Sequence, residues 1–487
     1  MVLYANQTLR PCSIGRCKKT SQTLSVILNK HFPAALLLIG NAVYADDPFL
    51  TMARVLPSPA AEQRPASACA DKPRSAAPLT LAAAVERALC ANPATRSAWM
   101  SARLSAAELG QAQSAFLPEV TLDGGLARTG GKVLQNDAWA WHIGMEVQYL
   151  LYDFGGRAAD REAAQALLAA ARASHDGTVR VVFLQTVAAW FNVLTAQGAV
   201  AAANQAEAAA LEALKAATAR VAAGTAIPAD RLQAKTVHAQ RQIERIRSEG
   251  ERQRLQGELA ALMGDASQAD FILSGNESAF SDFPATLEQV DKLIVAAKQR
   301  RPELQAAEST LAARRSGVRS AESAGKPVLS AFFDTLYQDS GPTVGTSSSL
   351  GVSLRVPLFT GYRSTYQIHA AEAQAELAAV ERDRVANQVA LDVWRAYHAL
   401  KSENEADSRT EELVASAQAA ESVVLGRYKA GLGNILDVLT AQANLAVAKQ
   451  TRLQSHLGLR VARAELAQAM GDLTWDWIER PGVAGDK

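Results

Sequence analysis

The sequence predicts a mainly α-helical fold with a membrane-spanning β part, arranged as an internal two-fold repeat. Three observations lead to this fold class: two very long stretches of helix-forming composition, a repeat that relates the two halves of the chain, and two regions in which apolar and polar residues alternate. The 487 residues carry a net charge of +1. A net charge this close to zero does not indicate a basic surface for binding nucleic acid, so no nucleic-acid partner is predicted.

The longest helical stretch is Tyr362–Leu425, which contains neither glycine nor proline and is rich in residues that favour helix. At 1.5 Å per residue it would run roughly 95 Å, about three times the hydrocarbon core of a bilayer. Charged residues recur along it, so it must lie in water and needs partner helices. The chain supplies one at Arg157–Ala223, where only Gly177 and Gly198 interrupt the same composition.

The two long stretches belong to a duplicated unit of roughly 200 residues. Asn92-Pro93 matches Arg301-Pro302 at an offset of 209, and the segment 220–224 matches 427–431 at an offset of 207. Each unit reads as a helix, a β-hairpin, a long helix, a tip and a return helix. The predicted domains are a signal peptide at 1–45, a flexible leader at 46–78, a first repeat at 79–285 with its hairpin at 117–152, a second repeat at 286–473 with its hairpin at 327–360, and a C-terminal tail at 474–487.

The N-terminus has the layout of a secretory signal, with basic residues before the apolar run Ala34–Ile39 and small residues at Val43-Tyr44-Ala45. The alternatives are a short buried helix or a start codon assigned upstream of the true one. Export after cleavage of the signal peptide would place Cys69 and Cys90 in an oxidising compartment. Their spacing alone does not decide between a disulfide and two free thiols.

After the first helix of each repeat the apolar period changes from 3.6 to 2, which indicates strands with one apolar and one polar face. Each strand has a predicted partner upstream, at Leu117–Arg128 and Pro327–Gln338. Gly-rich connections at Thr129–Asp137 and Asp339–Ser348 would complete two hairpins. The apolar residues of the alternating strands are Trp139, Trp141, Ile143, Met145, Val147 and Tyr149 in the first repeat and Leu350, Val352, Leu354 and Val356 in the second.

We interpret these apolar faces as lipid-facing. Aromatic residues such as Trp139, Tyr152 and Phe359 lie toward strand ends, as in the aromatic girdles of membrane barrels. The alternative is an ordinary sheet covered by helices, but the flanking helices are far too long for that. Because four strands cannot close a barrel and an open edge in lipid leaves backbone groups unpaired, several copies must share one barrel.

The sequence contains no motif for catalysis or metal binding, such as HExxH, CxxC, GxSxG or a phosphate loop. No enzyme activity, metal site or cofactor is therefore predicted. Trp190 and Tyr397, which are equivalent at an offset of 207, are interpreted as packing anchors within the long helices.

Taken together, these features resemble the TolC-like outer-membrane factors over about Leu79–Leu473. The residues that carry the resemblance are the helix starts at Asn92-Pro93 and Arg301-Pro302, the strand-to-helix corners at Leu151–Gly155 and Pro357–Gly361, and the paired segments around Gly224 and Gly431. The resemblance implies a homotrimer in the outer membrane, in which a twelve-stranded β-barrel continues into a periplasmic tunnel of long antiparallel helices.

The same resemblance implies partners. The protein would be the exit duct of a tripartite export system, working with a periplasmic adaptor (a membrane fusion protein) and an inner-membrane ABC or proton-driven transporter. Many relatives in multidrug efflux are lipoproteins, and the missing lipid-attachment signal favours the branch that serves type I protein secretion. The alternatives from other classes are a periplasmic adaptor, which should have one hairpin flanked by lipoyl-like segments, and a coiled-coil scaffold, which should lack the alternating strands.

Two segments are expected to form periplasmic tips that dock the adaptor, Arg220–Asp230 and Arg427–Asp437. In each, a long helix meets glycine and a new helix start follows, which is typical of a turn between antiparallel helices. A plain structural turn is the alternative. The candidate docking residues are Arg220, Val221, Gly224 and Thr225 in the first repeat and Arg427, Tyr428, Gly431 and Leu432 in the second.

The candidate gate comprises Asp437, Asp230 and Thr440. The resemblance implies that Asp437 lines the constriction of the tunnel, where symmetry copies would form a ring that attracts cations. Thr440 stands where the most familiar members have a second acid, and Gly433 where they have a basic residue, so fewer links between chains would hold the entrance shut. The alternative for Asp437 is an N-cap role at the start of the return helix.

Overall fold

The structure is a computed structural model that describes residues 47–55, 78–131, 134–265, 271–274, 280, 289–339 and 344–479. The predicted signal peptide at 1–45 and Cys69 lie outside these residues. The chain divides into two compact units, residues 1–52 and 53–487. In the described part of the first unit, the Asp47 carboxylate accepts hydrogen bonds from the backbone N–H groups of Thr51 and Met52, at 3.0 and 2.8 Å.

The second unit is mainly helical, as the sequence predicts. The two longest helices, α3 and α7, each contain 67 residues and run roughly 100 Å, and the return helices α4 and α8 each contain 35. The helices are α1 (Leu81–Ala91), α2 (Pro93–Ser114), α3 (Gly156–Ala222), α4 (Pro228–Leu262), α5 (Val290–Arg300), α6 (Pro302–Ala324), α7 (Arg363–Lys429), α8 (Ile435–Ala469) and α9 (Asp476–Glu479).

Helix α7 continues beyond the predicted end at Leu425. It passes through Gly426 and ends at Lys429, just before Gly431, whose φ of +83° belongs to the left-handed region. A glycine within a helix costs only about 1 kcal/mol relative to alanine, which the neighbouring packing overcomes. The helix therefore ends where the backbone turns left-handed, and not at the first glycine that it meets.

Four antiparallel strands form one sheet in the order β1-β2-β3-β4: β1 (Glu119–Gly131), β2 (Leu134–Tyr152), β3 (Val328–Asp339) and β4 (Val344–Arg355). The two predicted hairpins are joined because β2 pairs with β3. The connection within the first hairpin is shorter than expected, since pairing continues as far as Gly131 and Leu134 after a register shift near Thr129. Glycine and threonine backbones can complete a ladder even where their side chains suggest a loop.

The register separates an apolar from a polar face across all four strands. One row of directly paired residues is entirely apolar and consists of Val120, Val147, Phe333 and Leu350. The adjacent row, on the opposite face, is entirely polar and consists of Thr121, Glu146, Asp334 and Ser349. Because successive side chains of a strand point to opposite faces, this arrangement gives the sheet one mainly apolar surface.

Helix α3 lies in the middle of the bundle. It packs against α1, α2, α4, α6 and α8, whereas α7 packs against α5, α6 and α8. Toward the turns between the long helices the order is therefore α4, α3, α8, α7, and toward the sheet it is α2, α3, α6, α7. Trp190, Phe183 and Phe191 of α3 are almost fully buried in the main hydrophobic core. Helix α3 is long and apolar enough to cross a membrane, and this core position explains its composition.

Helices α1 and α2 are separated by a break at Asn92, and helices α5 and α6 by a break at Arg301. Each break is hydrogen-bonded to the end of a return helix. The Asn92 side chain accepts from Ala94 N–H at 2.9 Å and donates to the Leu262 carbonyl at the end of α4 at 3.3 Å. Its repeat equivalent Arg301 is buried and donates to the carbonyls of Gln468 and Ala469 at the end of α8. These contacts satisfy carbonyls that a helix C-terminus leaves free.

Charged and covalent contacts surround these breaks. Arg301 pairs with Glu303 at 2.9 Å and with Asp392 of α7 at 3.3 Å. Arg180 of α3 donates to the Gly471 carbonyl, and burial lowers the pKa of its guanidinium. Cys90 of α1 is disulfide-bonded. The sequence leaves open whether Cys90 pairs with Cys69, and Cys69 lies outside the described residues.

Candidate functional site

The turns that join each long helix to its return helix have the same backbone geometry. We call these turns the tips, residues 220–230 and 427–437. Gly224 and Gly431 have φ values of +72° and +83°, a conformation that glycine adopts without strain. In both tips the residue after this glycine donates its N–H to a carbonyl five residues back, as in a Schellman motif. These bonds join Thr225 to Arg220 and Leu432 to Arg427, both at 2.9 Å.

The return helices begin differently. Asn434 is the N-cap of α8, and its side chain accepts from Leu436 N–H at 3.2 Å. The N-cap alternative for Asp437 is therefore wrong, and Asp437 lies in the first turn of the helix. Asp230 lies in the first turn of α4, which begins at Pro228 without a side-chain cap. Both acids are placed where the positive end of the helix dipole favours them.

A contact between the two tips breaks the symmetry of the repeat. The Arg220 guanidinium donates to the Tyr428 carbonyl at 3.1 Å and lies over the Tyr428 ring, 4.7 Å from its centroid. Tyr428 is only 3% exposed. Its ring packs in a small core with Ala217, Ala234 and Ile435. Tyr428 therefore holds the tips together and presents no side chain to a partner in this state.

The remaining tip residues are more accessible. Leu432 is 74% exposed, and Arg427, Gly224 and Thr225 are also exposed, while Val221 is half-buried. The sequence groups Tyr428 with these docking residues, because nothing in a single sequence reveals the Arg220 contact. The repeat offset aligns Arg220 with Arg427, whereas in the fold Arg220 contacts the residue that follows Arg427 in the chain.

An open groove of about 860 Å³ runs between α7 and α8 next to the second tip. Asp437 and Thr440, two of the three predicted gate residues, line it together with Arg427. Asp437 and Thr440 are both exposed. The third gate residue, Asp230, lies on the other return helix, α4. Asn444 and Leu436 also line the groove, and no motif in the sequence points to either residue.

At the opposite end of the bundle, the predicted lipid-facing residues of β2 and β4 lie on the apolar face of the sheet, and Val356 directly follows β4. Trp139 is 61% exposed and Leu350 is 81% exposed. Trp141, Ile143, Tyr149, Val352, Leu354 and Val356 are exposed too, and Met145 and Val147 are half-buried. Large apolar side chains exposed together in this way indicate a surface that water does not cover.

On the polar face of the sheet, the imidazole Nε2 of His142 lies 3.4 Å from the carboxylate of Asp123. Gly125 lies opposite His142 and Gly144 opposite Asp123, and a Cβ at either glycine would collide with the facing side chain. Among the described residues, no group of three or more His, Cys, Asp or Glu side chains is placed to hold a metal ion.

Comparison with known proteins relates this architecture to outer-membrane channels. The chain is 28% identical to Protein CyaE of Bordetella pertussis over 411 residues, which is 81% of this chain and 84% of that protein. It is 30% identical to the outer membrane efflux protein BepC of Brucella suis over 134 residues, 28% of this chain and 29% of that protein. Among solved structures, the outer membrane protein VceC from Vibrio cholerae superposes with a TM-score of 0.71 at 21% identity, covering 80% of this chain and 96% of that one.

The structure of CusC superposes with a TM-score of 0.73 at 18% identity, covering 84% of this chain and 98% of that one. These likenesses do not favour the adaptor or the coiled-coil scaffold, the two alternatives from other classes. The protein family described as outer membrane efflux protein matches residues 84–265 and 293–472, which is most of both repeats. The chain belongs to the outer membrane efflux protein family.

Proposed function

We propose that three copies of this chain form an outer-membrane channel that serves as the exit duct of a tripartite export system. The observation that carries this proposal is the four-stranded sheet, which combines one mainly apolar face with two edge strands, β1 and β4, that pair with no further strand among the described residues. An unpaired edge in lipid leaves backbone N–H and C=O groups without partners, at several kcal/mol each. Pairing β4 of one copy with β1 of the next would close a twelve-stranded barrel.

The helical part supports the same assembly. Like the sheet, the layer of helices has two edges: α7 forms one edge, and α2 and α4 form the other. A rotation that closes the sheet would therefore also bring the edges of the bundle together. The resulting tunnel would extend roughly 100 Å from the membrane, the length of α3 and α7.

The tips would dock a periplasmic adaptor. They lie at the end of the bundle farthest from the sheet, and Leu432, Arg427 and Thr225 are exposed there. The adaptor would link the duct to an inner-membrane ABC or proton-driven transporter. Asp437, in the groove beside the second tip, would line the entrance of the tunnel and, with its copies, favour cations. Of the two export systems, we propose type I protein secretion over multidrug efflux.

Outer-membrane fractionation followed by mass determination in detergent tests the assembly. We expect a trimer that needs detergent, and a monodisperse water-soluble monomer would overturn the proposal. A pair of adjacent substitutions sharpens the test. Leu350→Arg would place a charge in lipid at roughly 2–4 kcal/mol, whereas Ser349→Arg would face the water-filled lumen. We expect the first variant to lose membrane insertion and the second to retain it.

A further inference from the structure

Each of the two strand-to-helix corners carries a pair of exposed aromatic rings. Tyr152 at the end of β2 and Phe154 just after it are 55% and 45% exposed, and their rings meet edge to face with centroids 4.8 Å apart. After β4, Phe359 and Tyr362 are 76% and 67% exposed, and their rings meet in the same way at 5.7 Å. Both repeats therefore expose aromatic rings where a strand passes into a long helix.

Two irregularities of the backbone place the first aromatic pair. The side chains of β2 alternate as far as Leu150, which lies on the polar face. A register shift then pairs Tyr152 with Leu329, on the same face as Phe333 of the apolar row. Phe154 adopts a φ of +53°, which is uncommon for a residue other than glycine. Because bulges and left-handed residues cost free energy, the surrounding structure must hold both rings in place.

The end of α6 lies between the two corners. Helix α6 packs against both α3 and α7. A Cβ at Gly156, the first residue of α3, would collide with the Ser323 hydroxyl near the end of α6. A Cβ at Gly325 would contact Ser364 of α7. Lys326 follows Gly325 directly, so it is placed between the start of α3 and the start of α7.

The arginine at the start of each long helix has different surroundings in the two repeats. In the first repeat, the Arg157 guanidinium lies 3.4 Å from the Asp153 carboxylate and donates to the Leu150 carbonyl at 2.8 Å. In the second corner, the neutral Thr360 stands where the first has Asp153. Arg363 is exposed and forms no ion pair within the described part of the chain. The charge of Arg363 therefore remains available to an anion.

Lys326 and Arg363 place two cations between the aromatic pairs. Lys326 is exposed, and none of the described carboxylates forms an ion pair with it. Arg363 directly precedes Ser364, the residue beside Gly325. The acid of this segment, Glu322, lies one helical turn before Lys326 and so farther from the sheet. The surface next to the sheet is therefore positively charged.

We propose that this surface binds an anionic phospholipid from the bilayer leaflet next to the helical bundle. Lys326 and Arg363 hold the phosphate, because basic side chains form strong hydrogen bonds with phosphate oxygens. The aromatic pairs lie at the level of the headgroups, where such rings are favoured. The acyl chains follow the apolar face of the sheet, which Val356 and Leu358 continue toward the corner with exposures of 46% and 93%. This site rests on the proposed membrane channel and names a lipid that the channel binds.

Native mass spectrometry of the detergent-purified protein tests the site. The protein is equilibrated with equal amounts of phosphatidylglycerol and phosphatidylcholine, and the retained lipids are counted. We expect the parent protein to prefer phosphatidylglycerol. Each cation should contribute roughly fivefold, so Lys326→Gln/Arg363→Gln should lower this preference roughly 25-fold. The matched control, Arg231→Gln/Lys235→Gln, removes two exposed cations of α4 near the tips and should leave the preference unchanged.

A charge-conserving variant separates the lipid site from a general effect on folding. Lys326→Arg/Arg363→Lys keeps both cations and should retain the preference. Equal retention of the two lipids by the parent, or an unaltered preference in Lys326→Gln/Arg363→Gln, would overturn the site and leave the exit duct intact. Phosphatidylglycerol bound by dissociated monomers but not by the trimer would also overturn it, because a second copy would then cover the surface. A water-soluble monomer without lipid would instead overturn the proposed function.

Discussion

Helices α3 and α7 have the same length and equivalent places in the repeat, yet they occupy different environments. Helix α3 contributes several of the largest fully buried side chains of the main core, including Trp190 and Phe183, and it also buries Val187 there. On α7, the equivalents of two of these are Tyr397, which is half-buried, and Trp394, which is 48% exposed. The duplication thus produced one central helix and one edge helix.

For the return helices the difference is reversed, because α8 of the second repeat is more buried than α4 of the first. Helix α8 of the second repeat has buried residues along its whole length, from Ile435 to Ala469. Helix α4 buries Ala234 and then almost nothing until Gln256. Much of its surface carries ion pairs within the helix, such as Arg254 with Glu251. Each repeat therefore supplies one interior and one edge helix.

The largest expected difference between the repeats is at Trp190 and Tyr397. Trp190→Ala should lower the free energy of unfolding by about 3–5 kcal/mol, because it empties a fully buried site. Tyr397→Ala should cost roughly 1–2 kcal/mol, since part of that ring is already in water. Denaturant unfolding followed by helical circular dichroism measures both values.

Trp190→Phe is the matched control. The indole N–H of Trp190 has no hydrogen-bond partner among the described residues, so phenylalanine should retain most of the stability. Equal losses for Trp190→Ala and Tyr397→Ala would contradict the distinction between a central and an edge helix.

The next difference is at the two helix breaks. Arg301→Ala should cost about 3 kcal/mol, because it leaves Asp392 and two carbonyls of α8 without their buried partner. Asn92→Ala should cost about 1 kcal/mol, since only neutral hydrogen bonds are lost. Thermal unfolding compares them. A larger loss for Asn92→Ala would show that charge at the second break contributes little.

The sequence predicts those parts of the fold that depend on local composition. Helix-forming stretches, the change of period and the repeat offsets suffice for the long helices and for the alternating faces. The pairing of β2 with β3 is not predictable in this way, because it joins hairpins that are almost 200 residues apart in the chain. The same holds for the contact of Arg220 with Tyr428, which follows from the packing of two tips and not from either segment alone.

The tips provide a third comparison. Gly431→Val should strain the turn by roughly 1–2 kcal/mol, since a β-branched residue rarely adopts a positive φ. We expect export to be lost while trimer and outer-membrane abundance remain, because the altered turn would no longer fit the adaptor. Gly426→Ala, five residues earlier in regular helix with open space around it, is the control and should export normally. Normal export by Gly431→Val would argue against docking at this tip.

The smallest expected effect on stability, and the most specific on function, is at Asp230 and Asp437. Each acid lies in the first turn of a return helix, so replacement by asparagine should cost only about 0.3–1 kcal/mol through the helix dipole. Their surroundings differ, because Asp437 is exposed in the groove with Thr440 and Arg427, whereas Asp230 lies on the edge helix. If Asp437 and its copies line the entrance, Asp437→Asn should reduce the cation preference and the block by multivalent cations in planar bilayers. Asp230→Asn should change both less. Unaltered selectivity in Asp437→Asn would limit Asp437 to stabilising the helix start and would place the constriction elsewhere along the tunnel.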